Sequence, residues 1–356
     1  MDEGLLAGIT VLDLSRLLPG PLATWHLASL GAQVVKFEPP AGDHTKRFGP
    51  GDGHTSFLYR RLNAAKEIVC LDLTRIEGQQ AFLERLRHAD LVVESFRPGV
   101  LERLGLGFER LRELNSRISL VSLSAYGARG EMAGMAGHDL NFLALSGWLE
   151  ELLPEQGLAL PPNVQLGDVL SGALSAAFAA VSALLHAART GAGRHVDVSI
   201  TAVLTASNLL PLAYAQAGRS APGRGRDLLN GGLPCYALYR TLDERHIAVA
   251  ALEAKFWLRF CETIGRPDFS GRHWERGQEI GGADARALVE ELGRIFADKP
   301  LAHWMSLFAG SDCCVTPVLR LDEVLRHPVA AQYLMSLPGG GGGAVRSVRS
   351  GISVLS

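Results

Sequence analysis

The sequence predicts an α/β protein: a larger domain on a parallel, doubly wound sheet, and a smaller α+β domain after it. Over residues 1–125 short apolar runs alternate with amphipathic helical ones, which is how a parallel sheet with crossover helices reads. A stretch rich in glycine and arginine, residues 218–232, then interrupts the chain, and past it two strand-like runs flank a charged turn. In order, Ile9–Leu14 is a buried strand, Pro21–Leu30 a helix and Val34–Glu38 a second strand. Residues 39–66 carry Pro39, Pro40, Gly42, Gly49, Pro50, Gly51 and Gly53 and predict a long loop, a common location for function. Ile68–Leu73, Gly78–Arg87, Leu91–Phe96 and Phe108–Leu114 continue the alternation, which ends at Ile118–Leu123. An Ala-rich helix follows over Val169–Ala188, then a turn at Gly191–Arg194 and a strand at Val196–Ile200. Beyond the linker, Tyr236–Arg240 and His246–Ala250 flank Leu242–Arg245 as a hairpin. Helices follow over Lys255–Ile264 and from Asp284, a residue type suited to an N-cap, to Ala297. The tail holds Leu321–Arg326, a glycine breaker after Pro338 and a last strand over Val345–Leu355. The domains expected are 1–217, a linker over 218–232, a small domain over 233–320 and a return of 321–356 to the large domain.

Composition narrows the function. At 356 residues, 47% hydrophobic and 20% charged, the chain can bury a large core. A net charge of −2 gives no global attraction to nucleic acid or to an anionic membrane. Cys70, Cys235, Cys261, Cys313 and Cys314 lack the paired spacing of a metal site, so reduced thiols and no metal are expected. The opening Met-Asp-Glu-Gly has no basic region before an apolar core, so a cytoplasmic protein without a signal peptide is expected. Residues 169–188 and 198–216 are free of Asp, Glu, Lys and Arg, but Ala, Ser and Gly dominate the first and Pro211 interrupts the second. Tightly packed small-residue helices explain them better than membrane spans. Leu18-Pro19-Gly20-Pro21 stands where a dinucleotide-binding glycine motif would follow the first strand, so a nicotinamide site there is unsupported.

Three segments concentrate chemistry. Ala136-Gly137-His138-Asp139-Leu140-Asn141 sets an imidazole beside a carboxylate in a loop after a strand. Leu166-Gly167-Asp168 places a second carboxylate ahead of the charge-free helix, and Leu252-Glu253-Ala254 a third between apolar residues. Singly, His138 reads as a packing or surface side chain, Asp168 as an N-cap and Glu253 as a surface carboxylate. Together they are what a reaction needs when it removes a carbon-bound proton and returns it.

Several segments in register resemble the family III CoA-transferase superfamily, and within it the α-methylacyl-CoA racemases. They are residues 8–16 (Gly-Ile-Thr-Val-Leu-Asp-Leu-Ser-Arg), 30–40, 89–99 with Leu104–Gly107, and 190–199. Gly137–Asn141, Glu253 and residues 229–239 resemble the racemase branch, while the four-glycine loop of some transferases has no counterpart. Departures stand at Pro39, where relatives carry an arginine linked to CoA, at Asp243–His246 and in residues 341–356.

The resemblance implies a large Rossmann-like domain plus a small domain in the family III CoA-transferase fold, assembled as an interlocked homodimer. It implies an acyl-CoA racemase or epimerase inverting the α-carbon of a 2-methylacyl-CoA, a role in lipid metabolism. His138 and Asp168 would be the two bases, and Glu253 would orient the imidazole. CoA enters as part of the substrate and no separate cofactor is expected. The CoA contacts expected are Leu71, Asp72, Leu73 and Thr74, which resemble the adenine-side segment, Arg97 and Arg103 for phosphate, with Ser95 and Phe96 beside Arg97 at a strand end, and Gly137 and Asp139. Tyr126 and Gly127 are further candidates, and Leu143, Trp148 and Val164 would shape an acyl pocket. The rival reading is a CoA-transferase using Asp168 as nucleophile through an aspartyl-CoA thioester; a third is a thioester-binding subunit without turnover.

Overall fold

The computed structural model describes residues 4–153, 160–338, 344–348 and 350–352. They divide into two compact units: the first holds the described residues of 1–152, 160–209 and 328–356, the second chiefly Leu210–His327.

The first unit is built on six parallel strands: β1 (Thr10–Asp13), β2 (Gln33–Glu38), β3 (Lys66–Cys70), β4 (Leu91–Glu94), β5 (Ser119–Ser124) and β6 (His195–Ser199). Their order is β3-β2-β1-β4-β5-β6, the Rossmann-like arrangement expected. Both faces of the central strands are covered, so their residues read as continuous apolar runs. Val11, Val34, Leu91, Val93 and Val121 pack on one face with Ala23, Leu27 and Phe142. Leu12, Val35, Val92 and Leu120 pack on the other with Phe82, Leu86 and Leu111.

The charge-free segment is one continuous helix. Its first turns, Gly167–Ala173, are π-helical and run directly into the α-helix Leu174–Thr190. Ala176, Ala179, Ala180, Ala183 and Ala187 form its buried side, and their small side chains let it lie close to the sheet. Gly167–Thr190 is long and apolar enough to cross a membrane by length and composition, yet that alanine face is committed to the protein core.

Residues 39–66 differ from the loop expected. They contain a 3-10 turn, His44–Arg47, and a helix, Phe57–Asn63, each started by a side-chain cap: Asp43 accepts from the Thr45 N–H, and Ser56 from the Tyr59 N–H. The helix preceding β2 begins at Pro19, where a proline loses no intrahelical bond.

In the second unit β7 (Tyr236–Arg240) and β8 (His246–Ala250) form the expected hairpin, and a short β9 (Val315–Pro317) extends it on the β8 side. Its core is aromatic: Trp257, Phe260, Phe296 and Phe308 are buried, with Trp257 and Phe260 stacked at 5.0 Å. Helices Ala254–Thr263 and Ala283–Ala297 match the sequence pattern, but the second is capped by Gly282. Asp284 instead turns its carboxylate to Arg272 and Gln278. The last paired strands, β10 (Leu334–Pro338) and β11 (Ala344–Val348), belong to the first unit. Part of the expected strand 345–355 lies outside the described residues.

Candidate functional site

In an open α/β sheet, ligands gather beyond the carboxyl ends of the strands where the order reverses. Here that point lies between β1 and β4. A cavity of about 300 Å³ opens there, walled by the segments that follow β1 (Arg16, Leu17, Pro19), β4 (Ser95–Pro98) and β5 (Leu123–Ala125). His138 and Asp168 both line it, as do Gly137, Ser95, Phe96 and Arg97.

The loop after β1 is held rigidly from below. Asp13 is wholly buried and accepts from the Ser15 N–H at 2.9 Å and from Lys66 Nζ at 3.1 Å. Lys36, equally buried, donates to the Ser15 carbonyl at 2.8 Å and pairs with Asp43 at 3.1 Å. Although burial alone would raise the Asp13 carboxyl, the two lysines and the Ser15 and Thr24 hydroxyls bring it down to about 2. Above this network Arg16 bridges the switch point. Its N–H donates to Ser95 Oγ at 3.0 Å and its guanidinium stacks 4.9 Å from the Phe96 ring centre.

His138 precedes the helix Asp139–Leu145, and its N–H is taken by Asn141 Oδ1 at 3.0 Å. The preceding glycine is required, because a Cβ on Gly137 would sit 2.5 Å from Tyr126 Oη and 2.8 Å from Phe142 Cε1. Asp139 turns toward the start of the π-helix, where its Oδ1 accepts from the Asp168 N–H at 2.8 Å. That approach also needs glycine: a Cβ on Gly167 would lie 2.9 Å from Asp139 Oδ1. Asp139 is thus a positioning group, tying the His138 loop to the Asp168 turn. The Asp168 carboxylate itself makes no hydrogen bond or ion pair among the described residues. Burial, with the Asp139 charge beside it, pushes Asp168 up from 3.8 to about 7. Asp139 is also raised, by burial.

Other expected site residues lie apart from the cavity. Arg103 ends the short helix Val100–Arg103 and is exposed. Leu71–Thr74 follow edge strand β3, where the Asp72 carboxylate accepts the Thr74 N–H at 3.0 Å in a local turn. Leu143 is core rather than pocket wall; Phe142, one residue earlier, lines the cavity instead. Trp148 donates to the Leu204 carbonyl at 2.8 Å, and Val164 is exposed without lining the cavity. Glu253 belongs to the second unit, immediately before the helix Ala254–Thr263, with its side chain exposed. The sequence reading missed Arg16 as a site residue; its position just past the first strand end was the available signal.

The arrangement offers an imidazole and a carboxyl of raised proton affinity in one cavity, with guanidinium groups at its wall: acid–base chemistry on an anionic substrate. Comparison with known proteins agrees in kind. The model of CoA-transferase family III matches residues 6–354. Human alpha-methylacyl-CoA racemase is 34% identical over 90% of this chain and 80% of its own length. Acetyl-CoA:oxalate CoA-transferase of Acetobacter aceti is 31% identical over 95% of this chain and 87% of its own. The crystal structure of Rv3272 from Mycobacterium tuberculosis superposes with a TM-score of 0.83 at 28% identity, covering 99% of this chain and 93% of that one. With its sheet order, its switch-point cavity and a match running almost from end to end, the chain belongs to CoA-transferase family III.

Proposed function

We propose that the protein is an acyl-CoA racemase or epimerase that inverts the α-carbon of a 2-methylacyl-CoA. The observation that carries this reading is the pairing of His138 with an Asp168 raised to about 7 in one cavity. A thioester acidifies its α-carbon because the carbanion delocalises into the carbonyl as an enolate. In one direction the Asp168 carboxylate takes the α-proton, and the His138 imidazolium delivers one to the opposite face; in the other the roles reverse. A base with its pKa near the working pH suits this step. Arg16 and Arg97 suit the phosphates of CoA, whose acyl end reaches the two bases.

The reading includes a cytoplasmic homodimer that acts without a cofactor beyond the CoA of its substrate, with Glu253 of one subunit holding the imidazole of His138 of the other. An apolar stripe on the helix Gly167–Thr190 supports the dimer. Leu170, Leu174, Phe178, Val181 and Leu185 recur at helical spacing and are exposed, Phe178 to 77%. The rival reading is CoA transfer between carboxylic acids through an aspartyl-CoA at Asp168, favoured by the likeness to acetyl-CoA:oxalate CoA-transferase.

Incubation of a single 2-methylacyl-CoA enantiomer in D₂O, followed by NMR, separates the two. Racemase chemistry gives α-deuteration with loss of configuration and no acceptor acid, abolished by His138→Ala and by Asp168→Ala. No exchange, together with CoA transfer to an added acid and hydroxylamine trapping of Asp168, would replace it with the transferase.

A further inference from the structure

Glu253 occupies the N-cap position of the helix Ala254–Thr263, with extended backbone (φ −87°, ψ 144°). A short polar side chain there, Ser, Thr, Asp or Asn, ordinarily folds back to accept one of the helix's unbonded N–H groups. Glu253 does not: its carboxylate makes no cap bond, and among the described residues no hydrogen bond or ion pair. The capping is done from elsewhere. Glu275 Oε2 accepts from the Ala254 N–H at 3.1 Å, and Trp274 Nε1 donates to the Leu252 carbonyl at 2.7 Å. The residues on both sides of Glu253 are therefore fastened to two consecutive residues of one 3-10 turn, Trp274–Arg276. That turn is itself anchored by His273. Its ring is wholly buried against Trp257, and its Nδ1 accepts from the Glu275 N–H at 3.3 Å.

We propose that Glu275, assisted by Trp274, is the positioning residue for Glu253. By supplying the cap acceptor it leaves the Glu253 carboxylate unbonded within its own unit, on a backbone fixed from both sides, and available to the imidazole. The proposal rests on the reading of Glu253 as the partner of His138. A carboxylate at this helix start is favourable in its own right, which lets Glu253 face away without leaving the helix dipole uncompensated.

The test is a double-mutant cycle on the full-length protein, read as α-proton exchange of a 2-methylacyl-CoA in D₂O at varied substrate concentration. Glu275→Ala is expected to lower kcat about tenfold with KM nearly unchanged, and Glu275→Gln, which keeps an acceptor oxygen, to restore most of it. In the Glu253→Ala background Glu275→Ala should cost nothing further, because its effect runs through the missing carboxylate. Trp274→Phe keeps an aromatic ring and removes the donor, so it provides a second probe if Glu275→Ala lowers the melting temperature. Additive losses for Glu253 and Glu275, or a normal kcat in Glu275→Ala while Glu253→Ala is slow, would overturn the positioning role. A normal kcat in Glu253→Ala would instead overturn the role of Glu253 and with it the proposal.

Discussion

Replacing Asp168 by asparagine should remove the exchange activity and stabilise the protein at alkaline pH. Burial and the Asp139 charge raise the Asp168 carboxyl from 3.8 to about 7, so the folded chain holds this proton more tightly than the unfolded chain. The stability from that preference is complete below the unfolded pKa of 3.8 and is lost as pH rises to about 7. Roughly three pH decades at about 1.4 kcal/mol each bound the effect at about 4 kcal/mol. Asp168 keeps partial exposure to the cavity, which lowers the expected share to about 2 kcal/mol. Asparagine matches the shape, never ionises and leaves the backbone bond to Asp139 intact. Denaturant unfolding of both proteins from about pH 4.5 to about pH 8.5, read on the transition of the first unit, measures the difference. The gap should widen with pH and level off above about pH 7 in favour of Asp168→Asn. A gap independent of pH, or one that favours wild type at high pH, would refute a carboxyl raised by its surroundings.

Other consequences follow from named contacts. Glu94, buried at the end of β4 and bonded to the Phe96 N–H at 2.6 Å, is raised by burial to about 7, so stability it lends at low pH is lost as pH rises through 7. Glu94→Gln should therefore stabilise at about pH 8 by about 2 kcal/mol and change little at about pH 4, as thermal melts at the two values would reveal. Asp13→Ala strips the buried Lys66 of its carboxylate partner and should cost about 3–5 kcal/mol in denaturant unfolding. Gly137→Ala forces apart Tyr126 and Phe142 and should cost about 1–3 kcal/mol, with a larger proportional loss in kcat than in substrate affinity. If the proposed homodimer forms through the exposed apolar stripe, Phe178→Glu, which sets a charge in it, should shift the protein to monomer in sedimentation velocity; an unchanged oligomeric state would refute that role of the stripe.

The fold was legible where physics acts locally and repeatedly. Val11–Leu12, Leu91–Val93 and Leu120–Val121 are apolar at every position because both faces of the sheet are covered, and that pattern announces a parallel strand. The two helical segments within 39–66 were missed although Asp43 and Ser56 are cap residues in plain view; the surrounding prolines and glycines suggested a loop. Strand β9, three residues long, has no periodicity to read and exists through its pairing with β8. In the site, His138 and Asp168 were visible as residue types in context. Their partnership with Arg16 was not, since only the β1–β4 adjacency brings Arg16 to them. The π-helical start at Asp168 had no local signal either.

The proposed racemisation asks something particular of the two bases assigned to it. Each must give up a proton nearly as readily as it takes one, so their proton affinities must lie close together. An imidazole ordinarily sits at about 6.5, more than two decades above a solvated aspartate. Under the proposed reading, the surroundings of Asp168 narrow that gap from the aspartate side. A half-buried carboxyl without hydrogen-bond donors of its own, with the Asp139 charge beside it, is lifted to about 7. The Asp139 bond to the Asp168 N–H fixes the turn while that charge raises the carboxyl, so one contact serves both geometry and proton affinity. It also explains why glycine stands at 167: a side chain there would push Asp139 away and loosen both at once.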